Sequence, residues 1–280
     1  MVSGAVPESR ADRPVDGFGI DAYLRIVREI AWTVARSRIQ GMGPIPYALT
    51  WVCFPIFQLL LLTLIYRENQ ELLNYAVIAG SGTTLLFAMT FNAGEILDNE
   101  RNLGTLGNLF LAPCPRYVWL AGFQVFALVE AVVTAAISVG LAIVLFDVVI
   151  SIDVLSLLVT LALMVSCLWG VSMILGSIGV LVRGANLISN FVFPFLGLLS
   201  GMMYPIARMP DWVRIPARTL PFGYGIQAMV DAMTTHAPLA ELWDDLIPLA
   251  GFALVLPVLG AMSFRYVERA VRRLGYLELS

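Results

Sequence analysis

Apolar residues run along this chain in six long blocks, at about residues 45–66, 75–97, 118–146, 154–182, 187–206 and 246–264. A helix needs ~20 mostly apolar residues to cross ~30 Å of hydrocarbon, so the blocks predict six transmembrane helices. Pro44 and Pro46 open the first block, and the polar cluster Arg67, Glu68, Asn69, Gln70 and Glu71 closes it. Blocks three and four are longer than a straight crossing requires, which fits tilted helices or helices that start in the interface.

Ahead of the first block the pattern changes period. Over residues 21–40, Leu24, Val27, Ile30, Ala31 and Val34 fall on one helical arc, with Arg25, Glu29, Thr33, Arg36 and Gln40 on the other. That predicts an amphipathic helix lying in the membrane interface. Residues 1–20 carry Pro7, Pro14, Gly17 and Gly19 among charges, the pattern of a disordered lead-in. They contain no apolar run of the kind that forms a cleavable signal peptide.

Two further segments are too polar to span. Asp98 to Arg116 reads as a loop with helical content. Between the last two blocks, Pro205, Pro210, Pro216 and Pro221 punctuate a segment in which Trp212, Val213, Ile215, Leu220, Phe222 and Tyr224 are interspersed with Arg208, Arg214 and Arg218. Short helices resting partly in the interface, where Trp and Tyr sit well, are the expectation there.

Composition sharpens the class. Apolar residues make up 59% of the 280 and charged residues only 13%, against about 25% charged in soluble domains, so what lies outside the apolar blocks is too little for a soluble catalytic domain. All 17 basic residues are Arg, since the chain has no Lys. A Walker A loop and Schiff-base chemistry both need Lys, so neither is available. Cys53, Cys114 and Cys167 are far apart with no CxxC pair, and His236 has no ligand-spaced companions; no metal site is expected. No basic stripe suited to nucleic acid is present.

Charge also orients the chain. With the N-terminus inside, thirteen Arg fall on the inner side of the six blocks and four (Arg67, Arg208, Arg214, Arg218) on the outer. The positive-inside rule then predicts a multi-pass protein of the cytoplasmic membrane with both termini cytoplasmic. The segment from Asp98 to Arg116 comes to lie inside and the proline-rich segment outside. The resulting fold expectation is an all-α membrane protein: an interfacial helix, six transmembrane helices, a cytoplasmic helix between spans two and three, and short outer helices between spans five and six.

Two motifs carry a family resemblance. Glu100-Arg101-Asn102-Leu103-Gly104-Thr105-Leu106, followed by Leu109, Leu111 and Pro113, resembles the E-R-x-x-G-T-L-x-x-L-x-x-x-P signature of ABC-2 type permeases. Ser200 to Pro205, Met209-Pro210-x-Trp212 and Leu220-Pro221-Phe222 resemble that family's segment before its last helix. The likeness extends over residues 21–270, leaving 271–280 as a cytoplasmic tail, and the drug-exporter branch typified by daunorubicin-resistance permeases looks most similar. One departure is that Gly107 and Asn108 stand where members often carry an acid.

The resemblance implies a transport subunit with no cofactor of its own: ATP and Mg would sit on a partner ABC ATPase, a second permease copy or a homologous permease would complete the path, and lipid would surround both. It implies export of a hydrophobic or amphiphilic substrate, drug-like or natural-product-like. An exporter of lipid or lipid-linked glycan is the alternative within the family. Outside it, a self-contained secondary transporter would need coupling charges in several spans. An intramembrane enzyme would need motifs that are missing here: Gly197 to Gly201 has the wrong spacing for a serine protease, and only Asp244-Asp245 approaches a prenyltransferase motif.

Candidate site residues follow. Docking to an ATPase groove needs a rigid element with polar ends and an apolar face: Glu100 and Arg101 supply charge, Gly104 and Thr105 a close-approach turn, and Leu106, Leu109 and Phe110 the apolar face. A plain amphipathic loop on the headgroups is the competing reading. Glu130, in the middle of span three, is a candidate for the path because a charge inside a membrane demands a reason. A protonated, hydrogen-bonded Glu within the bundle is the competing reading. Asn92 and Glu95 are candidates for an inner gate, with snorkelling as the alternative for Glu95; Asn190, Met202 and Pro205 are candidates for the path or its outer gate.

Overall fold

The structure, a computed structural model, describes residues 20–66, 68–102, 116–146, 151–181, 185–202 and 204–274. Among these residues every regular element is helical. In chain order they are α1 (Ile20–Met42), α2 (Pro44–Tyr66), α3 (Gln70–Asn102), α4 (Arg116–Phe146), α5 (Val154–Leu181) and α6 (Ala185–Leu199). After a 3-10 turn at Ile206–Arg208 come α7 (Asp211–Ala217), α8 (Pro221–Thr234) and α9 (Trp243–Leu274).

Among the described residues, four helices carry stretches long and apolar enough to cross a membrane: Gln70–Thr90 in α3, Ala121–Val144 in α4, Val154–Gly179 in α5 and Trp243–Val267 in α9. Ile56–Tyr66 in α2 and Asn190–Leu199 in α6 are shorter apolar stretches. The expected 187–206 span is corrected at its end: α6 stops at Leu199 because Gly201 takes φ of +76°, a left-handed value that terminates helices. Met202 and Pro205 therefore lie beyond the helix, in the connection to α7.

The α3 helix is the hub. It packs on α4, α5, α6 and α8, and 78% of its apolar window is buried inside the protein. Its buried hydroxyls bond to their own helix: Ser81 donates to the Ile78 carbonyl (2.6 Å), Thr83 to Ala79 (2.9 Å) and Thr84 to Ser81 (2.6 Å). These three hydroxyls are thus satisfied within their own helix.

The broadest helix pair is α5 with α9. Gly170 on α5 and Gly260 on α9 meet backbone to backbone; a Cβ at Gly260 would stand 2.6 Å from the Gly170 carbonyl oxygen. Pro257 in α9 has no N–H for the carbonyl of Ala253 four residues earlier. The Ser166 hydroxyl on α5 donates to that carbonyl instead, at 2.8 Å.

At the other edge of the bundle α1 lies along α4. Gly122 allows the approach, since a Cβ there would stand 2.6 Å from the Ile30 side chain and 3.0 Å from the Val27 carbonyl oxygen. The opposite arc of α1 stays exposed, with Arg36 stacked over the Trp32 ring at 5.4 Å.

The segment after α6 holds the 3-10 turn and two short helices that differ in burial. The first of them, α7, exposes Trp212 and Ile215 while burying Val213 and Ala217. The α8 helix is packed against α3, α5 and α9, with Phe222, Ile226, Met229 and Val230 buried. Its 14 residues reach ~21 Å at 1.5 Å per residue, too short to cross a bilayer. It is a half-length helix set into the bundle.

Candidate functional site

The α3 helix continues without a break through Asn92, Glu95, Glu100 and Arg101 to Asn102, so the loop expected from residue 98 begins as helix. No Pro or Gly interrupts Glu95 to Asn102. Gly104, Thr105, Leu106, Leu109 and Phe110 lie outside the described residues.

Glu130 on α4 has a named partner. The Tyr47 hydroxyl on α2 donates to Glu130 Oε1 at 3.2 Å, and Tyr47 is buried. The bond ties α2 to α4. A second polar contact joins three helices around the Met89 carbonyl on α3, which accepts from Ser172 on α5 (2.5 Å) and from the Gln124 amide on α4 (3.5 Å).

The opposite end of α3 from Glu100 borders a cavity of 520 Å³. The N-terminal ends of α3 and α9, the 3-10 turn and α8 enclose it. The same end of the bundle holds the start of α5, where Ser151 and Asp153 donate backbone N–H bonds to the Met233 and Ala232 carbonyls of α8 (both 2.9 Å). The exposed rim carries Glu71, Arg208 and Arg218, with Arg208 and Glu71 paired at 3.1 Å. Deeper walls carry buried Tyr75 and half-buried Gln227, Asp231 and Asp245.

The interior is ordered by hydrogen bonds. Tyr75 donates its hydroxyl proton to the Gly201 carbonyl at 2.9 Å, and Tyr224 to the Arg218 carbonyl at 2.9 Å. The Gln227 amide reaches both Asp231 oxygens at 3.1 Å, one helical turn along α8. Burial nonetheless pushes the Asp231 carboxyl above its usual range.

Of the residues expected at a path or gate, only Pro205 lines this cavity. Met202 packs on the core shared by α3, α5, α8 and α9, while Asn190 lies exposed on α6 and Glu130 sits between α2 and α4. Sequence reasoning missed Tyr75, Gln227, Asp231 and Asp245. The available signal was the placing of Asp231 amid apolar residues with Gln227 four positions earlier.

The order of elements is an amphipathic first helix, a long helix extended beyond its apolar stretch into Glu100-Arg101, and a short-helix segment before the last long helix. The model of the ABC-2 type transporter family matches residues 29–234, more than half of the chain. The chain belongs to the ABC-2 type transporter family. The match starts inside α1 and ends at the last residue of α8, so α9 lies beyond it. No curated protein matches this ABC-2 chain. Membership makes it a membrane component of an ABC transporter system, a class in which this domain is generally non-catalytic.

Proposed function

We propose that this chain is the permease subunit of an ABC exporter, driven by a separate ATPase subunit. The observation that carries the reading is the family match over residues 29–234, within which the E-R-x-x-G-T-L motif begins at the end of the α3 extension. In this reading α2, α3, α4, α5, α6 and α9 are the six spans, and both termini face the cytoplasm, as the thirteen-to-four division of Arg supports. ATP binding closes the partner ATPases, and a segment from Glu100 to Phe110 passes that motion to α3. Glu100 and Arg101 fix its register; Gly104 and Thr105 form the turn; Leu106, Leu109 and Phe110 fill an apolar groove.

Two copies of the permease, or this chain and a similar one, form the path. Asn92 and Glu95 lie toward the cytoplasmic end of α3 and are proposed for the inner gate, with Asn190, Met202 and Pro205 along the path or its outer gate. Glu130, the other candidate for the path, is assigned to holding α2 on α4, because Tyr47 already bonds to its carboxylate. The substrate is hydrophobic or amphiphilic, since the apolar spans carry few fixed charges, and a drug-like or natural-product-like cargo agrees with the resemblance to the daunorubicin-resistance branch.

The test is co-purification with a P-loop ATPase encoded beside this chain, followed by vanadate-sensitive ATPase activity in lipid. Glu100→Ala and Leu106→Asp are expected to uncouple or dissociate the complex. A chain that binds no ATPase, or a complex indifferent to both substitutions, overturns the coupling assignment.

A further inference from the structure

The 520 Å³ cavity at the α8 end of the bundle has a chemical bias that its charges alone do not reveal. Every hydroxyl group on its wall already donates its proton to a backbone carbonyl: Tyr75 to Gly201, Tyr224 to Arg218, Thr234 to Val230 and Thr235 to Asp231. What these oxygens still offer to the cavity is lone pairs. The Gln227 amide nitrogen is likewise engaged with Asp231, leaving its carbonyl oxygen as an acceptor.

The charge balance points the same way. At the rim Arg208 and Glu71 neutralise each other, and Arg218 is exposed, where water and salt screen it. Asp231 and Asp245 are half-buried on the same cavity wall, and among the described residues neither forms an ion pair. The Asn74 amide aside, the half-buried polar groups of the wall are acceptors, and with two carboxylates behind an exposed rim they select a donor-rich cation. The volume lies within the ~300–1,000 Å³ of small-molecule pockets.

We propose that this cavity is a binding site for an organic ammonium ion, its charge held by Asp231 and Asp245 and its N–H groups bonded to the acceptor wall. The site is separate from the coupling end of α3 and from Glu130. Its opening to the outer side rests on the orientation proposed above; the binding chemistry does not.

Dansylcadaverine, a fluorescent primary ammonium, is the probe, and N-pentyl-dansylamide, which lacks the terminal ammonium, is its neutral control. Both are titrated by fluorescence anisotropy against the full chain in nanodiscs, with no ATPase present. The ammonium probe is expected to bind about tenfold tighter than the control, and Asp231→Asn and Asp245→Asn are each expected to weaken it by about tenfold. Ala207→Trp, at the exposed rim, is expected to block entry with both carboxylates intact. Equal affinity for the two probes overturns the site, as does undiminished binding by a folded Asp231→Asn/Asp245→Asn variant; the comparison on the unaltered chain decides even if the variants do not fold.

Sealed vesicles test the side. Iodide, which does not cross the membrane, is expected to quench the bound probe from the outer face. Quenching only from the face bearing Glu100 would overturn the outward placement and the proposed orientation, a result distinct from loss of ammonium selectivity.

Discussion

The Tyr75 hydroxyl, one turn into α3, donates a 2.9 Å hydrogen bond to the carbonyl of Gly201, just past the end of α6. Gly201 holds φ of +76°, and a Cβ there would stand 2.8 Å from Ile206 and 3.2 Å from the Tyr75 oxygen. Tyr75→Phe is therefore expected to lower stability by ~1 kcal/mol. Gly201→Ala is expected to lose more, about 1 kcal/mol for the backbone alone with steric overlap added. Denaturant titration in mixed micelles checks both, and a Gly201→Ala variant as stable as the parent would contradict the left-handed turn.

Between α5 and α9, Ser166 supplies the donor that Pro257 lacks. Ser166→Ala leaves the Ala253 carbonyl without that partner and is expected to cost about 1–3 kcal/mol. Replacing Pro257 with Ala restores a backbone N–H, so Pro257→Ala should make Ser166→Ala nearly harmless; a double-mutant cycle gives the coupling. Gly260→Val at the neighbouring close contact is expected to separate the pair, by about 1–3 kcal/mol or more. Additive effects of the Ser166 and Pro257 substitutions would argue that the hydroxyl serves no such purpose.

For Glu130, a hydrogen-bonding role and a charge-bearing role in the path predict different variants. Glu130→Gln keeps an oxygen for Tyr47 to bond and is expected to preserve both fold and transport. Glu130→Leu removes it, and the coupling energy with Tyr47→Phe is expected at about 0.5–1.5 kcal/mol. Loss of transport in a stably folded Glu130→Gln variant would return the residue to the path.

The start of α5 carries a pH-dependent cap. Asp153 Oδ1 accepts the Ser156 backbone N–H at 2.8 Å, and that bond holds the Asp153 carboxyl below its usual range. A lowered carboxyl contributes stability above the ordinary value of about 4 and loses it as pH falls through the lowered one. Hydrogen exchange of the Ser156 amide is expected to be faster in Asp153→Ala than in the parent at pH 7. That difference should close as pH falls through the lowered value, and a gap unchanged by acidification would refute the ionised cap.

Helices whose ends are marked by local chemistry were legible in the sequence. Pro44 and Asp153 fix the starts of α2 and α5, and the expected bounds agree there within one residue. The end of α6 was not legible, because Ser200-Gly201 reads as apolar continuation until Gly201 adopts its left-handed backbone. Nor was α8: its residues suit an interfacial helix, and only the faces of α3, α5 and α9 around it explain why Phe222 and Ile226 are buried. The cavity is harder still, since Tyr75, Asp231 and Asp245 are drawn together from three helices. Lone acids scattered over the sequence do not announce a shared wall.

The self-contained hydroxyls of α3 also bear on how the protein is made. Gly201 follows Tyr75 by 126 residues, roughly 6–25 s of synthesis at ~5–20 residues per second. Through that interval α3 must wait in the membrane before α5, α6 and α8 exist to cover it. Because Ser81, Thr83 and Thr84 bond to carbonyls of their own helix, the waiting segment shows lipid few groups that need a partner. The future centre of the bundle can thus be inserted early and alone, and later helices assemble around a core that is already chemically quiet.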